Sequence, residues 1–167
     1  MFKTIDTTIL KEAVIKKRVL LGVFFTVAIL FICYTMSFAD SILSPKRSQG
    51  LLTSPAINSS HNLVTLVGPG KFVCAEISKQ GGSNDVTFIS LDIDGVNVVS
   101  VSIAALKNWG LTANNPYGLV LLQSGTLIKT LTIGFNSPLI YQKELKLKVD
   151  VKESGVVQIV ANVIHGK

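Results

Sequence analysis

The sequence predicts an all-β chain: a single antiparallel β-sandwich, jelly-roll-like, preceded by one N-terminal transmembrane helix. Three observations carry this. Apolar residues alternate with a period of two from Asn62 to Val163, and glycine- and asparagine-rich turn signals cut that pattern into short runs. Beyond residue 40 no stretch has a sustained helical period. Ahead of it, Val19–Ala39 forms an unbroken run of uncharged residues. About eight strands over the last hundred or so residues is the number expected of a sandwich or jelly roll.

The uncharged run VLLGVFFTVAILFICYTMSFA would span roughly 31 Å as a helix, against a hydrocarbon core of about 30 Å. Lys16, Lys17 and Arg18 abut its start, and only Asp40 lies immediately past its end. The positive-inside rule then holds residues 1–18 inside and sends the rest outward, to a cell surface, a periplasm or the outside of a virion membrane. Residues 1–18 read as a helical extension of that anchor or as an interaction helix, starting at Thr7 and Thr8. Two other fates compete. Ser37-Phe38-Ala39 supplies the small residues of a cleavage site, which would release a secreted domain. Pilin-type processing after Gly22 would make a filament subunit, although Val27 stands where such subunits carry Glu and Leu21 where a charge is usual.

Residues 40–61 contain Ser44-Pro45, Ser54-Pro55 and Gly50 with no sustained period, and are expected to be a linker or stalk. Asn58-Ser59-Ser60 formally matches an N-glycosylation acceptor. The sandwich domain is expected over residues 62–167. Leu63–Val67 ends at Gly68-Pro69-Gly70, and Phe72–Ser78 ends at Gly81-Gly82. Thr87, Ile89, Leu91 and Ile93 share one face of a strand that stops at Asp94-Gly95, a tight-hairpin dipeptide, and Asn97–Val101 returns beside it.

Ile103–Trp109 has the spacing of a short helix, and Leu111–Gly118 reads as a loop. Leu119–Leu122, Leu127–Phe135 and Leu139–Tyr141 follow as strands. In the last pair, Leu145, Leu147, Val149 and Val151 face in, and beyond the Ser154-Gly155 turn so do Val157, Ile159, Ala161 and Val163.

The net charge of +6 is shared between the two regions. Residues 1–39 hold five basic and two acidic side chains, and residues 40–167 hold eleven and eight. A surplus of that size on the outer domain is ordinary for solubility, so no nucleic-acid partner is expected. Of the cysteines, Cys33 lies in the hydrophobic run and Cys74 in a strand, which rules out an internal disulfide in the anchored form.

Histidine occurs only at His61, in the lead-in, and at His165, where it is expected to fray with the terminus. No catalytic residue set, cofactor site or metal site of His/Cys type is expected from so few groups. Asp92-Ile93-Asp94-Gly95 lacks the remaining ligands of a calcium loop, since Val101 stands where the Glu belongs. Lys143, Lys146, Lys148 and Lys152 form either a stripe toward anionic headgroups or a solvated strand face.

The candidate ligand or partner loop is the longest one, where Trp109, Asn114, Asn115 and Tyr117 sit together. An alternative buries Trp109 as a plug for the end of the sandwich.

The Gly-rich first hairpin, the LDIDG turn, ALKNWGLTANNPYGL and TIGFNSPLIYQKELKLKVDV together resemble accessory β-sandwich domains of phage and viral structural proteins over Gly70–Ile164. The resemblance is one of fold and carries no site residue; the N-terminal anchor departs from it. It implies a structural or attachment protein that meets copies of itself or other structural proteins. A glycan-binding module working through the Trp109–Tyr117 loop is the alternative.

Overall fold

The computed structural model describes residues 44–167. The expected inner segment 1–18, the apolar run 19–39, Cys33 and the cleavage positions lie outside them. Among the described residues no helix is long and apolar enough to cross a membrane.

The described residues fold into nine strands and one short helix: β1 (Lys46–Thr53), β2 (Ser59–Val67), β3 (Gly70–Gly81), β4 (Thr87–Ile93), β5 (Val96–Ser102), α1 (Ile103–Asn108), β6 (Leu119–Ser124), β7 (Ile128–Tyr141), β8 (Glu144–Val151) and β9 (Val156–Gly166). They form two antiparallel sheets, β1-β9-β3-β7-β6 and β2-β8-β4-β5. One apolar core lies between the sheets. Phe72, Ile77, Leu131, Ile133, Ile159 and Val163 enter it from the five-stranded sheet, and Ile89, Leu91, Leu145, Leu147, Val149 and Val151 from the other. The all-β expectation of a sandwich holds.

Alternation decides which side chains go in. Along β8 every second residue is buried, and its lysines take the outer face. The β4–β5 turn is made by Asp94 and Gly95, both at positive φ (52° and 86°), as a two-residue primed turn requires.

Four expectations need correction. The stalk assigned to residues 40–61 contains β1 and the start of β2, so the sandwich does not begin at 62. β1 pairs with β9 along its whole length, and a polar edge strand with little alternation gives no period to read. The separate strand at Leu139–Tyr141 is the end of β7. Register slips between Gly134 and Leu139, opposite Cys74 and Phe72, so Pro138, which has no N–H to donate, falls in the slipped segment.

Val157 points outward (51% exposed) and Val156 is buried in its place, because the β3–β9 register shifts at Gln80/Gly81. His165 does not fray: it sits in β9 opposite Lys46, with the Ser48 hydroxyl 2.9 Å from its Nε2.

At Gly50, β1 runs close against β2 of the other sheet. A side chain there would strike the Leu63 carbonyl of β2, so only glycine permits the approach.

Candidate functional site

The site begins with a helix cap. The Ser102 hydroxyl accepts a hydrogen bond from the Ala105 N–H (3.1 Å) and starts α1, whose Ile103 and Leu106 are buried. Trp109 caps the other end, and Gly110 (φ 65°) turns the chain away. The following loop is tied back by the Leu111 N–H to Leu106 O (3.1 Å) and by the Leu121 N–H to Leu111 O (2.7 Å).

Asn115 is the organiser of this loop. Its amide donates to Ala113 O (2.9 Å) and Leu119 O (2.6 Å), while its Oδ1 accepts from the Tyr117 N–H (3.0 Å). Trp109 (64% exposed) and Tyr117 (68% exposed) then stand out, lining a hollow of about 530 Å³ with Leu111 and Leu119. The structure therefore brings Trp109 and Tyr117 together. Asn115 serves the loop's own backbone, and Asn114 is exposed beside it without lining the hollow. The reading of Trp109 as a buried plug is incorrect: its ring is exposed, and the fully buried side chains of this segment are those of Ile103 and Leu106.

Other groups weighed in the sequence have local partners. The Asp94 carboxylate accepts from the N–H groups of Gln142, Lys143 and Glu144, at 2.8, 2.7 and 3.0 Å. Those three bonds, joined by the nearby Lys143 charge, hold its pKa below the usual range. Asp92 accepts from Lys148 (2.6 Å) and Asn97 (2.7 Å), which lowers its pKa and raises that of Lys148. Lys146 pairs with Glu144 at 2.5 Å. Two of the four lysines of the stripe are thus matched by acids, as on a solvated strand face.

His61 lies in β2, Nε2 2.9 Å from the Ser59 hydroxyl. Burial and the neighbouring Lys46 lower the His165 pKa. Burial raises that of Cys74, a free thiol, with the Glu76 carboxylate adding to it. Among the described residues no three His, Cys, Asp or Glu side chains converge as a metal site.

A cluster that sequence reading passed over lies at one end of the core. Lys79 is fully buried, 2.5 Å from Glu153 Oε1 and 3.0 Å from Asp85 Oδ1. Lys129, directly opposite Lys79 on β7, reaches the same Asp85 oxygen at 3.1 Å. Glu153 also accepts from Thr87 Oγ1 (2.6 Å) and from the N–H groups of Asn84 (3.0 Å) and Asp85 (2.9 Å). Burial pushes the Glu153 carboxyl up, but the bonds from Lys79, Thr87 and Asn84 and the Lys79 charge outweigh it and hold the pKa at about 2.

No family model matches the chain, and no curated protein matches its sequence. Among solved structures it is similar to FLHE, with 9% identity over 74% of this chain and 99% of that one, at a TM-score of 0.39. It is also similar to CBM28, a carbohydrate-binding module specific for non-crystalline cellulose, with 12% identity over 75% and 66% of the two chains and a TM-score of 0.31. A chain of infectious bursal disease virus, Gx strain, is similar at 11% identity over 76% and 42%, with a TM-score of 0.25.

Proposed function

We propose that this chain is a membrane-anchored attachment or structural protein, without enzymatic activity, whose outward β-sandwich docks a protein partner or another copy of itself. The observation that carries this is the pair Trp109 and Tyr117, held out of the core by a loop that spends its own polar groups on its backbone. Large exposed aromatics around an apolar hollow are a common anchor of protein interfaces. The bilayer is met through residues 19–39, with Lys16, Lys17 and Arg18 inside. With β6 set aside, the strand order β1-β9-β3-β7 over β2-β8-β4-β5 supports a jelly roll, an architecture used in capsids and lectins.

A second reading, a carbohydrate-binding module, is favoured by the exposed Asn114, which lies in the chain between the two exposed aromatic residues.

The deciding experiment compares full-length wild type with Trp109→Ala and Tyr117→Ala, recovered from membranes, for self-association and for binding to a glycan array. Association that falls at least tenfold in both variants, with an unchanged melting curve, supports the first reading. A glycan signal abolished by Trp109→Ala moves the assignment to the second. A wild type that is monomeric and binds neither glycan nor other components of its envelope or particle overturns both.

A further inference from the structure

The cluster around Lys79 has no part in the aromatic hollow, and its geometry is that of a reaction centre. An amine and a carboxyl group face each other in a dry site, Lys79 Nζ 2.5 Å from Glu153 Oε1, and neither side chain is exposed. The other carboxylate oxygen, Oε2, receives two backbone N–H groups, from Asn84 (3.0 Å) and Asp85 (2.9 Å). Paired amide donors aimed at one oxygen are what stabilises the oxyanion of a tetrahedral intermediate. A second carboxylate, Asp85, touches the same Nζ at 3.0 Å and is itself held by Lys129. Gly82 keeps the approach open, since a side chain at that position would strike both Glu153 and Lys79.

We propose that Lys79 and Glu153 condense into an intramolecular amide between Nζ and Cδ. A proton passes from Nζ to Oε1 along their contact, giving an amine and a carboxylic acid, a transfer that runs against the lowered pKa of Glu153 and is the step the fixed contact must make possible. The Nζ lone pair attacks Cδ, and the carbonyl electrons move onto Oε2, where the Asn84 and Asp85 N–H groups hold them. Asp85 Oδ1 takes a second proton from Nζ and returns it to Oε1, which leaves as water while Oε2 reforms the carbonyl. One ammonium and one carboxylate become one amide and one water, with no further reagent. Fixing both groups in contact replaces the activation that such a condensation needs in solution. The bond joins β3 to the turn between β8 and β9, 74 residues apart, in a domain whose Cys74 is unpaired.

The test is a tryptic map of the full chain, denatured after purification, which reads the bond whatever happens to the N-terminus. The expected result is no cleavage after Lys79. The peptide 72–107 is then joined to the peptide 153–167, one water lighter than the two together. Glu153→Ala should restore cleavage after Lys79, releasing 72–79 and 80–107, with the variant 153–167 peptide free of either. Asp85→Ala, which leaves both reacting groups in place, should lower the linked fraction at least tenfold at a fixed time after synthesis. A wild type cut after Lys79, giving 72–79, 80–107 and an unlinked 153–167 at full mass, overturns the proposal, and that measurement needs no variant to fold.

Discussion

Asp94 Oδ1 lies 2.7 Å from the backbone nitrogen of Lys143, so the turn of one hairpin closes the turn of another 49 residues further along. The contact is reinforced from both sides. The Asp94 N–H donates to Glu144 O (2.9 Å), and the Gly68 N–H donates to Lys143 O (2.8 Å). Three turns thereby meet at one end of the β2-β8-β4-β5 sheet through backbone groups that would otherwise need water.

This contact makes stability depend on acid. Because hydrogen bonds depress the Asp94 pKa in the folded state, its contribution is present above the ordinary carboxylate range. It is lost as pH falls through the folded-state value. Asp94→Ala should melt lower than wild type at neutral pH. As pH falls from about 5 through the ordinary carboxylate range and on through the lowered folded-state value, the gap between the two melting curves should narrow. A gap that stays constant across that range would refute the link.

Leu147 is fully buried on β8, the strand flanked by both β2 and β4. Leu147→Ala should cost about 2–5 kcal/mol, through lost burial and the cavity left behind. Urea unfolding should give a lower midpoint with an unchanged slope.

Gly50 and Gly68 should respond to alanine for different reasons. At Gly50 the added carbon meets the Leu63 backbone, which cannot step aside, and the expected loss is about 1–3 kcal/mol or more. At Gly68 (φ 85°) nothing stands nearby, so only the left-handed backbone is penalised, by about 1–2 kcal/mol. Chemical denaturation of the two variants side by side should rank Gly50→Ala as equally or more damaging.

Trp109 and Leu106 lie three residues apart and should behave oppositely. Trp109→Ala removes an exposed ring and should move stability by no more than about 0.5 kcal/mol while removing partner binding. Leu106→Ala empties a fully buried position and should cost about 2–5 kcal/mol. A Trp109→Ala protein that unfolds as readily as Leu106→Ala would return Trp109 to a structural role.

Much of this fold was legible because alternation reports burial directly. Leu145 to Val151 and Thr87 to Leu91 declare their faces without help from tertiary structure. β1 was not legible, because what fixes it is the register with β9 rather than any pattern of its own. The aromatic pair of the candidate site was visible as residue types on a long loop. The exposure of Trp109 was not, since the spacing of Ile103, Leu106 and Trp109 is that of one helical face and only the first two are buried.

The charged cluster carried a signal that was overlooked. Lys79 continues the inward row of Ala75 and Ile77, and Lys129 precedes Leu131 and Ile133 in the same phase. Glu153 follows Val149 and Val151 in the same way. A charge in phase with a buried row is either paired or a sign of broken register, and here it is paired.

The order β1-β9-β3 beside β2-β8-β4 has a consequence for timing. β8 and β9 follow all the other described strands in the chain and are interior to the two sheets, one in each, so β1 and β2 remain without ladder partners until β8 and β9 have been made. Only the β4–β5 hairpin and the β3-β7-β6 group, which belong to opposite sheets, can pair before then. Both sheets are therefore completed together, when β8 and β9 are in place, rather than one after the other.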